Sequence, residues 1–268
     1  MYNILVCDDE KELKRIEKAE ERLCRRAEKK TAPIWKEKLE EKIPDKVMWG
    51  LQKMFSKAFF LIFEKGGMII EKSYDKEALE KEFQVKDYAV GLKGGRKEIR
   101  NLKRDAARGN TASTLFTTAE GIVLGLLGIG LPDIVIWVGV LLRGVYETAM
   151  KYGFSYGTPE EKMFILKMLE TAMAIGEEWE KANKEVDCYI RQDIHVIPTE
   201  EEVKQQIEKT ANAFATDMLV TKFIQGLPVV GIVGGAMNPV YYRRILSYVQ
   251  LKYRKRYLVQ KLKNRQGR

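Results

Sequence analysis

Apolar residues recur along this chain at steps of three and four and almost never in strict alternation, a pattern that predicts helices and no sheet. From Glu12 to Lys46 the sequence is dense in Lys, Glu and Arg, with Leu13, Ile16, Ala19, Leu23 and Ala27 on one stripe. That spacing predicts a solvated amphipathic helix. Pro33 and Pro44 punctuate it, and VMWGLQKMFSKAFFLIFEKGGMIIEK then predicts a long apolar helix that Gly66 and Gly67 end or kink. A loop is expected near KDYAVGLKGGRKEI. From Gly121 to Leu142 the only charge is Asp133, a length that would cross a bilayer core as one helix. Gly128, Gly130, Pro132 and Asp133 interrupt it, so two half-helices around a turn are expected, the second continuing through Arg143 and Glu147. Two readings stay open for this unit: a buried helical hairpin, or a hairpin that dips into lipid.

A related unit follows in KFIQGLPVVGIVGGAMNPVYYRRILSYVQ, where Gly226 and Pro228 open a small-residue turn before another helix. Gly121, Gly125, Gly231, Gly234, Gly235 and Ala236 would let helices of the two units approach closely. The residues expected to set the turn geometry are Pro132 and Asp133 in the first unit, and Pro228, Gly231, Gly235 and Asn238 in the second. The fold class is therefore all-α, a helical bundle with two related glycine-proline hairpin units. A charged segment (1–46) precedes the main helical domain (47–268). TPEEK and PTEEEVKQQ read as helix starts capped by Thr158 and Thr199.

Charge changes the picture at one end only. Of 47 Lys and Arg in 268 residues, ten fall within 243–268, where none of the 38 Asp and Glu lie, so the rest of the chain is close to neutral. Arg243, Arg244, Arg254, Lys255 and Arg256 are candidates for contact with an acidic or lipid partner. Ile245, Leu246, Val249, Tyr253, Tyr257 and Leu258 fall among them at helical spacing. This segment is either a basic amphipathic helix at a membrane surface or a terminal helix packed on the core with its basic side chains reaching outward.

Other chemistry finds little support. MYNILVCDDE resembles the opening strand of a response-regulator receiver. The alternating strands and helices of a receiver do not follow, so Asp8, Asp9 and Glu10 are expected as first-turn acids of a helix. Cys7, Cys24 and Cys188 are widely spaced and His195 is the single histidine, which argues against disulfide or zinc frameworks. Ile4 to Cys7 is too short an apolar run for a secretory leader, so a cytoplasmic, reducing setting is expected. Gly231 to Gly235 lacks the spacing of a phosphate loop. Asp133 reads as a helix cap. With Glu120, Glu147 and Asp217 it would form an acidic, metal-capable site only if the two units packed face to face. No catalytic residue, metal or cofactor is assigned. Nucleic-acid binding through the basic end lacks any accompanying recognition motif.

The stretch from GIVLGLLGIGLPDIVIWVGVLLRGVYETAMKYGFSYGTPEEK to IQGLPVVGIVGGAMNPVYYRRILSYVQLKYRKRYL resembles the EcsC protein family. The resemblance spans Trp35 to Leu258. Its most specific elements are the Leu-Pro-Asp turn, the Tyr-Gly and Pro-Glu-Glu junction, and the late proline-glycine segment ending in Asn238. More distantly it is similar to the helical membrane-targeting modules of some GTPases. The family takes its name from a protein encoded beside an ABC transporter. The resemblance implies an α-helical accessory protein at the inner face of the cytoplasmic membrane, docked on an anionic lipid surface or a membrane-protein partner near a transport or export system. It supplies no reaction and no catalytic residues.

Overall fold

The computed structural model describes residues 2–29, 44–66, 70, 74–93, 96–108, 133–191, 197–224 and 239–266. Among these all regular structure is helical: α1 (Tyr2–Lys29), α2 (Asp45–Leu61) with a π-turn at Ile62–Gly66, α3 (Lys76–Lys93), α4 (Arg96–Arg108), α5 (Asp133–Lys151), α6 (Pro159–Met173), α7 (Glu177–Arg191), α8 (Glu200–Ile224) and α9 (Pro239–Gln266). The expected all-α class is the observed one.

α5 is apolar on every side, so it must be surrounded. Ile134 through Met150 are buried except for the half-buried Arg143, and α2, α3, α4 and α9 pack around the helix. Phe55 of α2 and Phe214 of α8 meet Trp137 of α5 in an aromatic cluster that Phe59 joins through Phe214, with Phe55 and Phe214 centroids 5.3 Å apart and Trp137 and Phe214 crossing edge to face at 5.7 Å. α1 follows its predicted stripe. Ile16 and Ala27 are buried and Leu13, Ala19 and Leu23 pack partly against the same core, so segment 1–46 shares its core with segment 47–268.

Two expectations are corrected. α1 starts at Tyr2, which moves Asp8, Asp9 and Glu10 beyond its first turn; Asp9 is buried and pairs with Arg265 of α9. Residues 86–93 and 96–99, expected as loop, belong to α3 and α4. The glycine at position 91 lowers helix propensity by only about 1 kcal/mol, which packing of Val90, Ile99 and Leu102 offsets. The apolar helix of residues 45–61 continues as the π-turn Ile62–Gly66, so the helical run reaches Gly66 as expected.

The Tyr-Gly and Thr-Pro-Glu-Glu junction is explained by local hydrogen bonding. Gly153 adopts φ +80°, its N–H donates to Met150 O at 2.9 Å, and the Phe154 N–H reaches back to Ala149 O at 2.9 Å. This is the Schellman arrangement that ends a helix. Thr158 then opens α6, its hydroxyl accepting from Glu161 N, with Pro159 in the first turn. Thr199 and Glu202 form the reciprocal capping box of α8, the Thr199 N–H donating to Glu202 Oε2 at 2.8 Å and the Glu202 N–H to Thr199 Oγ1 at 3.2 Å. A Cβ on Gly153 would fall 2.3 Å from the Phe83 ring. Gly153→Ala is therefore expected to cost about 2–4 kcal/mol, left-handed strain plus overpacking. A shift of the urea midpoint measures it, and an unchanged midpoint would show that this turn is not held in solution.

Candidate functional site

α9 is the helix whose charges prompted a functional reading, and the structure buries Lys252, Arg254 and Lys255 and half-buries Arg244 and Arg256. It packs against α1, α4, α5, α6 and α7. Lys252 is 0% exposed. Its ammonium donates to Glu20 Oε1 of α1 at 2.6 Å and to Asp187 Oδ1 of α7 at 2.7 Å. Lys255, also buried, meets the same two carboxylates at 2.8 Å each. The result is a four-cornered cluster of alternating charge joining three helices. Burial pushes the Lys252 ammonium down despite both carboxylates. Burial also pushes the Asp187 carboxyl up, but Lys252 and Lys255 together more than offset it and hold it below the usual carboxylate range.

The neighbouring cations follow the same rule that a buried charge needs a partner. Arg256 donates to Glu161 Oε2 at 2.6 Å and lies over the Phe154 and Phe164 rings at 4.3 and 4.9 Å. Tyr253 donates its hydroxyl to the other oxygen of Glu161 at 2.7 Å, and burial pushes that phenol well above the usual tyrosine range. Arg254 lies 3.4 Å from Glu12. Arg244 holds the buried Asp217 at 2.7 Å. Arg243 is exposed. Of the two readings of the basic segment, the helix packed on the core is the one observed, but Arg244, Arg254, Lys255 and Arg256 turn to acids of α1, α6, α7 and α8 instead of reaching outward. Glu161, within the TPEEK helix start, is a buried anchor for α9. The signal was available: a helix with nine cations and no acid, in a chain otherwise near neutral, must find its counter-charges elsewhere.

Of the four acids whose convergence was considered, two have described side chains, each paired with an arginine. Glu147 accepts from Arg143 Nε at 3.0 Å while Asp217 pairs with Arg244. Glu120 lies outside the described residues, as does His195, and only the backbone of Asp133, at the start of α5, is described. No group of three His, Cys, Asp or Glu among the described residues is placed to hold a metal. Pro132, Pro228, Gly231, Gly235 and Asn238 also lie outside the described residues. Cys24 and Cys188 are free thiols, and burial pushes the Cys24 thiol up.

A face of α2 that the sequence reading passed over presents a different chemistry. Leu51, Phe55, Ala58 and Phe59 turn toward the core. Lys46, Trp49, Lys53, Lys57 and Phe60, spaced by three and four, form the opposite, exposed stripe. Trp49 is 61% and Phe60 44% exposed, and Lys53 Nζ sits 4.3 Å above the Trp49 ring. Two large aromatics among three lysines, with Asp45 at the first turn, make a surface that is both apolar and cationic. The missed signal was VMWGLQKMFSKAFF itself, whose apolar residues are too many for one buried face. No helix among the described residues is long and apolar enough to cross a membrane.

Among curated proteins and among solved structures, nothing matches the chain. The EcsC family model aligns with residues 8–258, taking in α1 as well as the region from Trp35 to Leu258, and the chain is a member of the EcsC protein family.

Proposed function

We propose that this protein is a peripheral accessory protein of the membrane surface, docking on anionic lipid through the exposed stripe of α2 and working beside a transport or export system. The observation that carries the reading is the combination of Trp49 and Phe60 with Lys46, Lys53 and Lys57 on one exposed helix face. Tryptophan suits the head-group layer because its ring is apolar with a polar edge, and lysine stems lie along that layer while their ammonium groups meet lipid phosphate. Each such lysine contributes about 1 kcal/mol near an anionic leaflet, and the contribution fades with salt. Pro132, Asp133, Pro228, Gly231, Gly235 and Asn238 enter the same reading as the residues expected to set the geometry of the glycine-proline turns.

Vesicle flotation tests the proposal. The protein is expected to float with phosphatidylglycerol-containing vesicles at low salt and far less with neutral ones. Lys46→Gln/Lys53→Gln/Lys57→Gln is expected to weaken partition by about 100-fold, and Trp49→Ser/Phe60→Ser by at least about tenfold, both with an unchanged melting temperature. Binding that ignores both sets of substitutions, or no binding to anionic vesicles, overturns the reading.

A further inference from the structure

α1, α4 and α9 pack on one another, and where they meet positive charge outnumbers negative. At the base lies Arg254 of α9, 5% exposed. Lys252, Lys255, Arg244 and Arg256 each donate to a carboxylate at 2.8 Å or less; Arg254 alone of these five cations makes no hydrogen bond among the described residues. Its Nε and Nη1 are buried without an acceptor, and Glu12 Oε1, its ion-pair partner, stands 3.4 Å from Nη1. Nη2 has no acceptor either and is the one side-chain nitrogen of Arg254 not wholly buried. Glu12 is already shared, because its other oxygen accepts from the half-exposed Arg15 at 2.9 Å. Lys103 of α4 is exposed and makes no hydrogen bond or ion pair among the described residues. Partial burial pushes its ammonium down, Arg254 and Arg15 add to that, and only Glu12 opposes them. Burial pushes the neighbouring Tyr152 phenol up, so it stays neutral. Three cations therefore face one carboxylate.

A water molecule supplies an acceptor to a guanidinium but brings no charge, so water leaves the surplus of two in place. A dianionic oxyanion answers both the missing acceptor and the surplus. We propose that this junction binds a phosphate monoester or inorganic phosphate, held at its base by Arg254 Nη2 and at its mouth by Lys103 of α4 and Arg15 of α1. The guanidinium fork matches phosphate oxygens in geometry as well as charge, and the lysine adds a point charge on a flexible stem. Glu12 is the competing anion: it orders the two arginines while neutralising only one of the three cations. Such a phosphate has two sources, a free metabolite or the head group of a lipid such as phosphatidic acid. The site lies on α1, α4 and α9 and is independent of the α2 stripe.

Isothermal titration of the full chain with inorganic phosphate and with glycerol 3-phosphate, at fixed ionic strength, tests the proposal. At least one is expected to bind with a Kd of about 1 mM or tighter. Short-chain phosphatidic acid, kept below its micelle concentration, identifies the lipid source if it binds more tightly than glycerol 3-phosphate, and the free source if it does not. Arg254→Met removes a buried charge with no hydrogen bond and is expected to melt at or above the parent temperature while losing at least about tenfold in affinity. Lys103→Gln, on the surface, is expected to keep the parent melting temperature and to lose about fivefold. Glu12→Gln is expected to bind more tightly than the parent, a gain that a merely structural role would not produce. The Lys46→Gln/Lys53→Gln/Lys57→Gln protein is expected to bind phosphate as the parent does. No binding of either phosphate up to about 10 mM, unchanged affinity in both Arg254→Met and Lys103→Gln, weaker binding in Glu12→Gln, or a loss confined to the α2 variant overturns it.

Discussion

Glu20→Ala and Asp187→Ala are each expected to lower the free energy of unfolding by about 3–5 kcal/mol, since either change leaves Lys252 and Lys255 in the interior with one carboxylate between them. The cost comes from the stranded ammonium groups, not from the attraction that is lost. Replacing all four corners together by leucine and methionine is therefore expected to be neutral or stabilising, because desolvation of four charges is removed along with their pairing. Urea unfolding of the two single variants, the double and the quadruple separates these terms, and the double is expected to fall well short of additive. A single-variant loss below about 1 kcal/mol would mean that water reaches these groups, as it does in surface pairs.

The same cluster sets an acid limit. Asp187 titrates below the usual carboxylate range in the folded protein, so its contribution is present above the unfolded aspartate value of about 3.9 and is lost as pH falls from there through the lower folded value. The parent protein is expected to lose urea resistance steeply below about pH 4, and the Asp187→Ala protein less steeply because it has already lost that term. Equal slopes would remove Asp187 from the account of acid unfolding.

What the sequence made legible was whatever local chemistry decides. Thr158 with Pro159 and Thr199 with Glu202 announce α6 and α8 because a cap needs only neighbours three residues apart. The stripe from Leu13 to Ala27 announces α1 for the same reason. Charge pairing across the fold was not legible in this way. Lys252 and Glu20 are 232 residues apart in sequence, and nothing in either neighbourhood distinguishes an ammonium destined for the interior from one destined for lipid. A basic, aromatic-rich helix is the same string in both settings; only the acids waiting on α1, α6 and α7 decide. α3 was obscured by the opposite weakness, because its apolar residues keep little helical period, and the start of α4 was obscured by Gly94 and Gly95 directly before it. The α2 stripe was visible as excess apolar content but not as a surface, since periodicity counts residues and cannot tell which of two apolar faces is covered.

The small residues expected to let helices approach, Gly121, Gly125, Gly231, Gly234, Gly235 and Ala236, lie outside the described residues; within the described residues a close approach falls at Gly144, which nothing in its local sequence marks out from its neighbours. A Cβ there would lie 2.4 Å from the Tyr242 hydroxyl oxygen and 2.9 Å from Leu246 Cδ1, so α5 and α9 come together with no room for a methyl group. In an open helix a glycine-to-alanine change gains up to about 1 kcal/mol. At Gly50 of α2, where a Cβ meets nothing within 4 Å, that gain is expected. At Gly144 the sign reverses, because the Tyr242 ring is fully buried and cannot swing away without disturbing the packing around it. Gly144→Ala is expected to cost about 1–3 kcal/mol and Gly144→Val more. Combining Gly144→Ala with Tyr242→Phe leaves the ring carbon, at 3.3 Å, as the nearest atom of residue 242, so the pair is expected to show a favourable coupling of about 1 kcal/mol or more in a double-mutant cycle. Gains of the same sign at Gly50 and Gly144 would place α9 farther from α5 than this crossing allows. Opposite signs would fix the register in which α9 delivers Lys252, Tyr253 and Arg256 to their carboxylates.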